Sequence, residues 1–387
     1  MSKKLNFKIK GSGPTGMLLS LALSKLGSNV NIYLTDLLTK EKLIVKDKTY
    51  AITHSTKKIL EKFCIWQNLK PYLYGFDTLS ISDSVIKEFS ILNISDLDKD
   101  ICNANNIGWV IKHHDLMNTF FNEIEKKENI FFNSPQKLLN EKIRIDYQFI
   151  STGANSVNSK KYFKFLDIRK TYNQSCLTFK VLLRGNSEKR AYEIFRNEGP
   201  LALLPLKSNL YQIIWTSNTQ NSIERLNSDR NFLLDNLSTI LPCNFKLDQI
   251  VGEVNVFPVS LSFNLPLFNL KKFVLVGDSF HTFHPVGGQG LNTCWRDVNT
   301  IFDILNENSF YSKKKLRLFK FKYYCRRFID IFLTIFLTDS LITIFANNNL
   351  LLFPLRKIFF QLLNKFNFFR KLVLNQMTKS IIFSSIK

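Results

Sequence analysis

The chain has 387 residues, enough to bury a large core and, as a prior, to form two domains. Hydrophobic residues make up 45% and charged residues 22%, a globular balance that excludes a disordered chain. The net charge of +22 points toward polyanions, but the basic residues are spread through a chain rich throughout in Lys, Asn, Ile and Phe; the charge reads as compositional drift and no nucleic-acid partner is expected.

The N-terminal segment MSKKLNFKIKGSGPTG is basic and reaches glycines before any long apolar run, so no secretory signal is read there. Cys64, Cys102, Cys176, Cys243, Cys294 and Cys325 show no paired spacing, which argues against a zinc module or a disulfide framework and fits a reducing compartment. A cytoplasmic location is expected.

Leu5 to Lys10 alternates as a short strand and feeds a glycine-rich turn and an apolar helix. Gly11, Gly13 and Gly16 hold the G-x-G-x-x-G spacing of a dinucleotide-binding turn: one glycine for the tight bend, one for close approach of a pyrophosphate, one for helix against strand. A second strand, Asn29 to Leu34, completes the βαβ half. The acid expected to bind a ribose at its end is replaced by Leu34; Asp36, two residues on, either substitutes for it or is an ordinary loop aspartate.

Between about Thr171 and Pro258 the pattern changes to alternating strands such as SCLTFKVLLRG and YQIIWTSN. The strand Phe273 to Val276 then runs into GDSFHTFHPVGGQG, with a helix beginning near Leu291. A nucleotide turn at one end of the chain and this Gly-Asp element at the other imply a ligand long enough to be held at both, and FAD is such a ligand. Asp278 is placed to accept from ribityl or ribose hydroxyls, Gly287, Gly288 and Gly290 let backbone approach a flat ring, and the helix N-terminus favours the negative charge of a reduced flavin. His281 and His284 have a metal-ligand spacing but lie on a loop with no third ligand, so they read as loop-holding imidazoles and no metal is expected.

GDSFHTFHPVGGQGLNTCWRD resembles the flavin-contact motif of class A FAD-dependent monooxygenases, and specifically of the ubiquinone-biosynthesis hydroxylases. TYAITHSTKKILEKFCIW, NIGWVIKHHDLMNTFF and FRNEGPLALLPL, the last with IIWT, are similar to further segments of that family, so the resemblance covers nearly the whole chain. It implies an α/β fold: a Rossmann-like, glutathione-reductase-like FAD-binding domain in three parts (residues 1–75, 101–165 and 266–305), a β-sheet substrate domain (166–265, with a short piece at 76–100) and a helical C-terminal region (306–387). It adds Pro14, Thr15, Lys48, Gly153, Gly277, Pro285, Gln289, Leu291 and Asn292 to the cofactor site, with Pro285 and the Gly287 to Gly290 backbone beside the reactive edge of the ring.

The implied reaction is hydroxylation of a polyprenylated phenol in ubiquinone biosynthesis by O2, through a flavin C4a-hydroperoxide. That chemistry demands no acid–base pair of the protein, and no catalytic residue is assigned. Five positions depart from the family pattern: Leu34 replaces its Glu, Lys48 stands where Arg is common, Ser279-Phe280 replaces Ala-Ala, and Thr152 stands for the Asp expected before Gly153. The last touches a motif associated with pyridine-nucleotide contact, so the electron donor is either NAD(P)H or a ferredoxin-type partner. In the C-terminal region, Phe328 to Ala346 has the length of a membrane span but contains Asp330 and Asp339, and a core helix is expected. Leu355 to Gln376 mixes Phe and Leu with Arg356, Lys357, Lys365, Arg370 and Lys371, the composition of an interfacial helix; peripheral contact with the inner face of a membrane, or with other quinone-biosynthesis enzymes, would deliver the substrate.

Overall fold

The computed structural model describes residues 4–98, 105–133, 143–154, 166–185, 189–242, 245–265, 273–307 and 313–379. Cys102, Cys243 and the part of the FISTGANSVNSK segment after Ala154 lie outside them.

A five-stranded parallel sheet carries strands in the order Phe273–Leu275, Tyr147–Ile150, Leu5–Lys10, Val30–Thr35, Ile130–Phe132. Parallel strands need crossovers whose helices cover both faces, which is why Phe7, Ile9, Ile32, Leu34, Phe149 and Val274 are all fully buried. The helix Pro14–Ser24 is apolar all round for the same reason: every residue from Gly16 to Leu23 is buried. The second strand runs one residue further than expected, to Thr35. Leu34 pairs with Ile9 in the sheet and faces the core, so it cannot meet a ribose, while Asp36 follows the strand directly.

A second sheet of eight strands is built mainly from 166–265, with Thr78–Asp83 and Glu88–Asn93 added at its edge through a parallel pairing onto Arg190–Phe195. Its long strands Leu166–Arg184 and Lys246–Leu265 run antiparallel and carry three register shifts, irregularities of the kind that bend and twist a strand pair. A three-stranded sheet of Thr49–Ile52, Gly108–Lys112 and Tyr74–Phe76 lies near the junction of the two domains.

The C-terminal region departs from the sequence expectations in two ways. The helix Lys313–Phe345 is only partly a core helix, with a third of its most apolar stretch buried. Ile331, Ile342 and Phe345 face inward, whereas Phe321, Phe332 and Phe336 are each more than half exposed. Asp330 and Asp339 are both engaged by the protein, the first by Arg296 and Arg327 and the second by Lys170 and Tyr172. The segment beyond is two helices, Phe353–Lys365 and Asn367–Lys379, broken at Phe366. Arg356 is not an interfacial cation: it is fully buried and donates to the carbonyls of Ile344 and Asn347 at 2.8 and 2.6 Å, capping the end of the long helix.

Candidate functional site

The glycine turn and its neighbours enclose a cavity of about 280 Å3 lined by Gly11, Gly13, Pro14, Thr15, Asp36, Lys48, Tyr50, His113, Thr152, Gly153 and Asp278, among others. Gly11 has φ +101, and a Cβ there would lie 2.4 Å from the Ser151 carbonyl oxygen, so only glycine lets the first strand turn this close to its neighbour. Pro14 opens the following helix and no side chain caps it, leaving the first N–H groups and the positive end of the dipole turned to the cavity. Gly16 lies behind the lining, where its hydrogen replaces a Cβ that would fall 1.9 Å from the Gly11 carbonyl oxygen. Asp36 is oriented by the N–H groups of Ser12 and Leu38, which donate to its two oxygens at 2.6 and 3.0 Å.

Two neutral groups face the same cavity. His113 donates from Nε2 to the Leu43 carbonyl at 2.7 Å, so its Nδ1 is the acceptor, and Tyr50 donates its hydroxyl proton there at 2.9 Å. Burial pushes the His113 imidazole down and the Tyr50 phenol up, so neither is charged at neutral pH. Lys48 lays its ammonium 4.9 Å from the centre of the Phe257 ring, which positions it, and it feels the charge of Asp278 across the cavity.

Asp278 is set by the helix Gly290–Glu307 beneath it. Burial raises the Cys294 thiol far above its ordinary range, so it stays protonated and donates to Asp278 Oδ1 at 3.3 Å. One turn further, Asp297 accepts the Gly277 N–H at 2.9 Å and His281 Nε2 at 2.8 Å on one oxygen and Arg327 Nε at 2.6 Å on the other. Arg327 also donates to Asp330 at 2.5 Å, which takes Arg296 at 2.8 Å. These four charges sum to zero in a fully buried network, and burial, which pushes the Asp297 carboxyl up, is outweighed by His281 and Arg327. The network fixes the Gly277–Asp278 turn, with Gly277 at φ +63 against Thr15. His284 is likewise a loop-holding group, its Nδ1 accepting the Val286 N–H at 3.2 Å.

A second cavity, of about 80 Å3, lies where the sheet domain meets the glycine loop. Pro285, Gly287, Gly288 and Gln289 form one side, and Ala51, Ile107, Glu193, Ala202, Leu204, Leu374 and Met377 are among the rest. Gly290 and Leu291 begin the helix beside it. The Asn292 side chain is fully engaged by protein, taking the Thr53 N–H and Thr56 hydroxyl and donating to the carbonyls of Ala51 and Gly288, so its part in the site is to hold the two walls together. The FRNEGPLALLPL segment divides by strand alternation: Ala202 and Leu204 face the cavity, while Leu201 and Leu203 enter the core on the other side of the sheet.

The comparisons with known proteins agree with this geometry. Residues 259–377 match the squalene epoxidase family. The ubiquinone biosynthesis monooxygenase COQ6 of Dictyostelium discoideum is 23% identical over 84% of this chain and 80% of its own. The 3-demethoxyubiquinol 3-hydroxylase of Escherichia coli is 29% identical over 46% of this chain and 45% of its own. In fold the chain matches p-nitrophenol 4-monooxygenase PnpA of Pseudomonas putida, with a TM-score of 0.73 at 14% identity, over 98% of this chain and all of that one. The chain is an FAD-dependent monooxygenase, similar in sequence to the ubiquinone-biosynthesis hydroxylases.

FAD fits this monooxygenase on observations of its own structure. A Cβ built on Gly13, Gly153 or Gly290 meets nothing within 4 Å, so these glycines border open space where a ligand can approach the backbone. The buried Ser12 hydroxyl, beside the glycine turn, has no hydrogen-bond partner among the described residues. Tyr50, His113 and Glu193 were not singled out by sequence as site residues. Tyr50 and His113 lie in segments that the resemblance covered, but their contact with one another is set by the small sheet, which brings Tyr50 opposite Ile111.

Proposed function

We propose that this monooxygenase hydroxylates the ring of a polyprenylated phenol in ubiquinone biosynthesis, with FAD as cofactor and O2 as the oxygen source. The observation that supports it most directly is the small, largely apolar cavity against the Pro285–Gln289 loop, where a ring would lie beside the flavin. Bound FAD, once reduced, supplies the activated oxygen. The chain's residues bind and orient around it: the uncapped helix at Pro14 takes the pyrophosphate, Asp36 and Asp278 take hydroxyls, and Tyr50 and His113 present neutral polar atoms. The sheet domain walls one side of the second cavity, and excluding water there would protect the reactive oxygen from wasteful breakdown. The donor of electrons is NAD(P)H or a ferredoxin-type protein, since Thr152 leaves no carboxylate before Gly153.

The test is spectroscopic. The purified protein is expected to show the two-banded spectrum of oxidised FAD, to release FAD on denaturation, and, when reduced and mixed with oxygen, to convert a short prenylphenol into its hydroxylated product. A colourless protein that takes up no added FAD overturns the reading.

The C-terminal helices support a lipid-borne substrate. Leu374 and Met377 wall the second cavity, and Phe345 stacks on Phe195 at 4.4 Å, while the same region exposes Phe336, Leu351, Phe366 and Phe368 beside the exposed Lys357, Lys365 and Lys371. Apolar rings interleaved with exposed cations suit an anionic bilayer surface. Cosedimentation with phosphatidylglycerol-containing vesicles is therefore expected, and Phe332→Ser with Phe336→Ser is expected to weaken it by about tenfold, ~1.4 kcal/mol. Equal binding of parent and variant removes this face from the proposal.

A further inference from the structure

The strand Arg190–Phe195 alternates cleanly, and one of its faces carries a residue out of keeping with its surroundings. Tyr192 and Ile194 pack in the core behind the sheet, whereas Ala191 and Phe195 pack on the cavity side. Between these last two, on the same face, stands Glu193. Its cross-strand neighbours are Ile81 on one side and Ala202 on the other, and the cavity around it is lined by Ile52, Phe76, Leu79, Ile107, Leu204 and Ile214.

A carboxylate in an apolar wall costs stability unless it is paired. Among the described residues no cation forms an ion pair with Glu193; its partner is the backbone N–H of Gly287. That contact is informative, because Gly287, at φ +69, belongs to the loop that borders the second cavity. The carboxylate therefore stands beside the loop, within the cavity where a ring lying against that loop would carry its polar substituent. Glu193 is the one carboxylate among the described residues that line this cavity, whose other polar side chains are neutral.

We propose that Glu193 is the general base of the hydroxylation, accepting the phenolic proton of the substrate as the ring attacks oxygen; this rests on the reading of the protein as a phenol hydroxylase. The phenolic O–H bond breaks, its electron pair moves into the ring and makes the ortho and para carbons nucleophilic, and the proton passes to Glu193. As the ring carbon bonds to one oxygen atom of O2 the O–O bond breaks, and the second atom leaves as water with the two electrons that reduced FAD would supply; the ring carbon then releases its hydrogen as a proton and the aromatic ring is restored. Glu193 returns its own proton to the phenolic oxygen and is a carboxylate again.

Burial pushes the Glu193 carboxyl up to about 7, against the Gly287 N–H, which lowers it. A base whose proton affinity lies near the working pH is the most effective kind. The charge of Glu193 is felt by the Cys176 thiol, which burial foremost holds up at about 12 and which stays neutral throughout. Glu193 is thus protonated and unable to accept below about pH 7, and activity should fall about tenfold per pH unit there.

The experiment uses FAD-loaded full-length protein, 2-allylphenol as probe and its methyl ether as the control that cannot donate. Dissociation constants are read from the perturbation of the flavin spectrum. Single turnovers are run by reducing the flavin with dithionite and mixing with oxygenated buffer, so that no biological donor is needed. The parent is expected to prefer the phenol over the ether by roughly tenfold or more above pH 7 and to lose that preference below it. Glu193→Gln is expected to hold FAD as the parent does, to lose the preference at every pH, and to turn over about 100-fold or more slowly with no acid limb. Glu193→Asp should recover part of both. A Glu193→Gln protein that keeps the preference and the acid limb while hydroxylating normally overturns the assignment and leaves the hydroxylase reading standing. Loaded protein that binds the ether and the phenol equally, and hydroxylates neither, overturns both.

Discussion

Arg327→Met is expected to lower the unfolding free energy by about 3–5 kcal/mol, because it leaves Asp297 and Asp330 buried and stripped of a shared cation. The geometry makes the loss unusually direct. Arg327 reaches both carboxylates through separate nitrogens and the Thr293 carbonyl through a third, so no neighbour can replace it by a rotamer change. Arg326, one residue earlier, is the control. Its guanidinium is exposed and meets Glu307 at 3.4 Å, and Arg326→Met should cost no more than about 0.5 kcal/mol. Urea titration of both variants beside the parent decides the matter, and a difference between them below about 1 kcal/mol would show that the network contributes little. The pH dependence has a definite sign. Asp297 is held below its ordinary value of 3.8, so its contribution is present above that value and is lost as pH falls through the depressed one. The effect also reaches the cofactor site, since Asp297 holds the Gly277 N–H and with it the turn that carries Asp278.

The parts of this molecule that could be read from sequence are those where one residue type answers one local demand. Gly11, Gly13 and Gly16 are such positions, and the strand, turn and helix around them are where the spacing placed them. Asp36 was legible only as an alternative, because whether it meets a cavity depends on where the strand ends, and strand ends are set by the partner strand. The long C-terminal helix defeated a reading from composition. Its two aspartates counted against a membrane span and for a core helix, yet Asp330 belongs to a buried network and Asp339 to Lys170 and Tyr172, leaving an apolar outer face that no sequence period announces. Arg356 was misjudged for the converse reason: a basic residue in an amphipathic stretch is normally solvated, and only the end of the preceding helix gives it buried carbonyls to bond. Glu193 lay unnoticed between segments that were noticed, since a lone carboxylate in a strand has no signal until its neighbours on the adjoining strands are known to be Ile81 and Ala202.

Gly13→Ala and Gly16→Ala, three residues apart, are expected to fail in different ways, and the difference tests whether the glycine turn serves the fold or the cofactor. At Gly16 a methyl group would lie 1.9 Å from the Gly11 carbonyl oxygen and 2.8 Å from the Ser151 hydroxyl. Backbone must move to admit it, and the helix Pro14–Ser24 would be lifted from the strand that feeds it. A loss of about 1–3 kcal/mol follows for an overpacked contact of this kind, at the upper end because a carbonyl oxygen cannot rotate away. Unfolding of apoprotein should report it without any flavin present. At Gly13 the same methyl meets nothing within 4 Å and the backbone has ordinary extended geometry, so the apoprotein should be as stable as the parent within about 0.5 kcal/mol. The methyl instead occupies the space above the uncapped helix end, where a pyrophosphate must come close to the backbone. FAD affinity should therefore fall by at least about tenfold, ~1.4 kcal/mol, with the fold intact. Fluorescence titration of FAD into both apoproteins, set beside their urea curves, separates the cases. Parent-like affinity in Gly13→Ala would mean that the cofactor's phosphates lie elsewhere than at this helix, and the placement of the whole site would have to be redrawn.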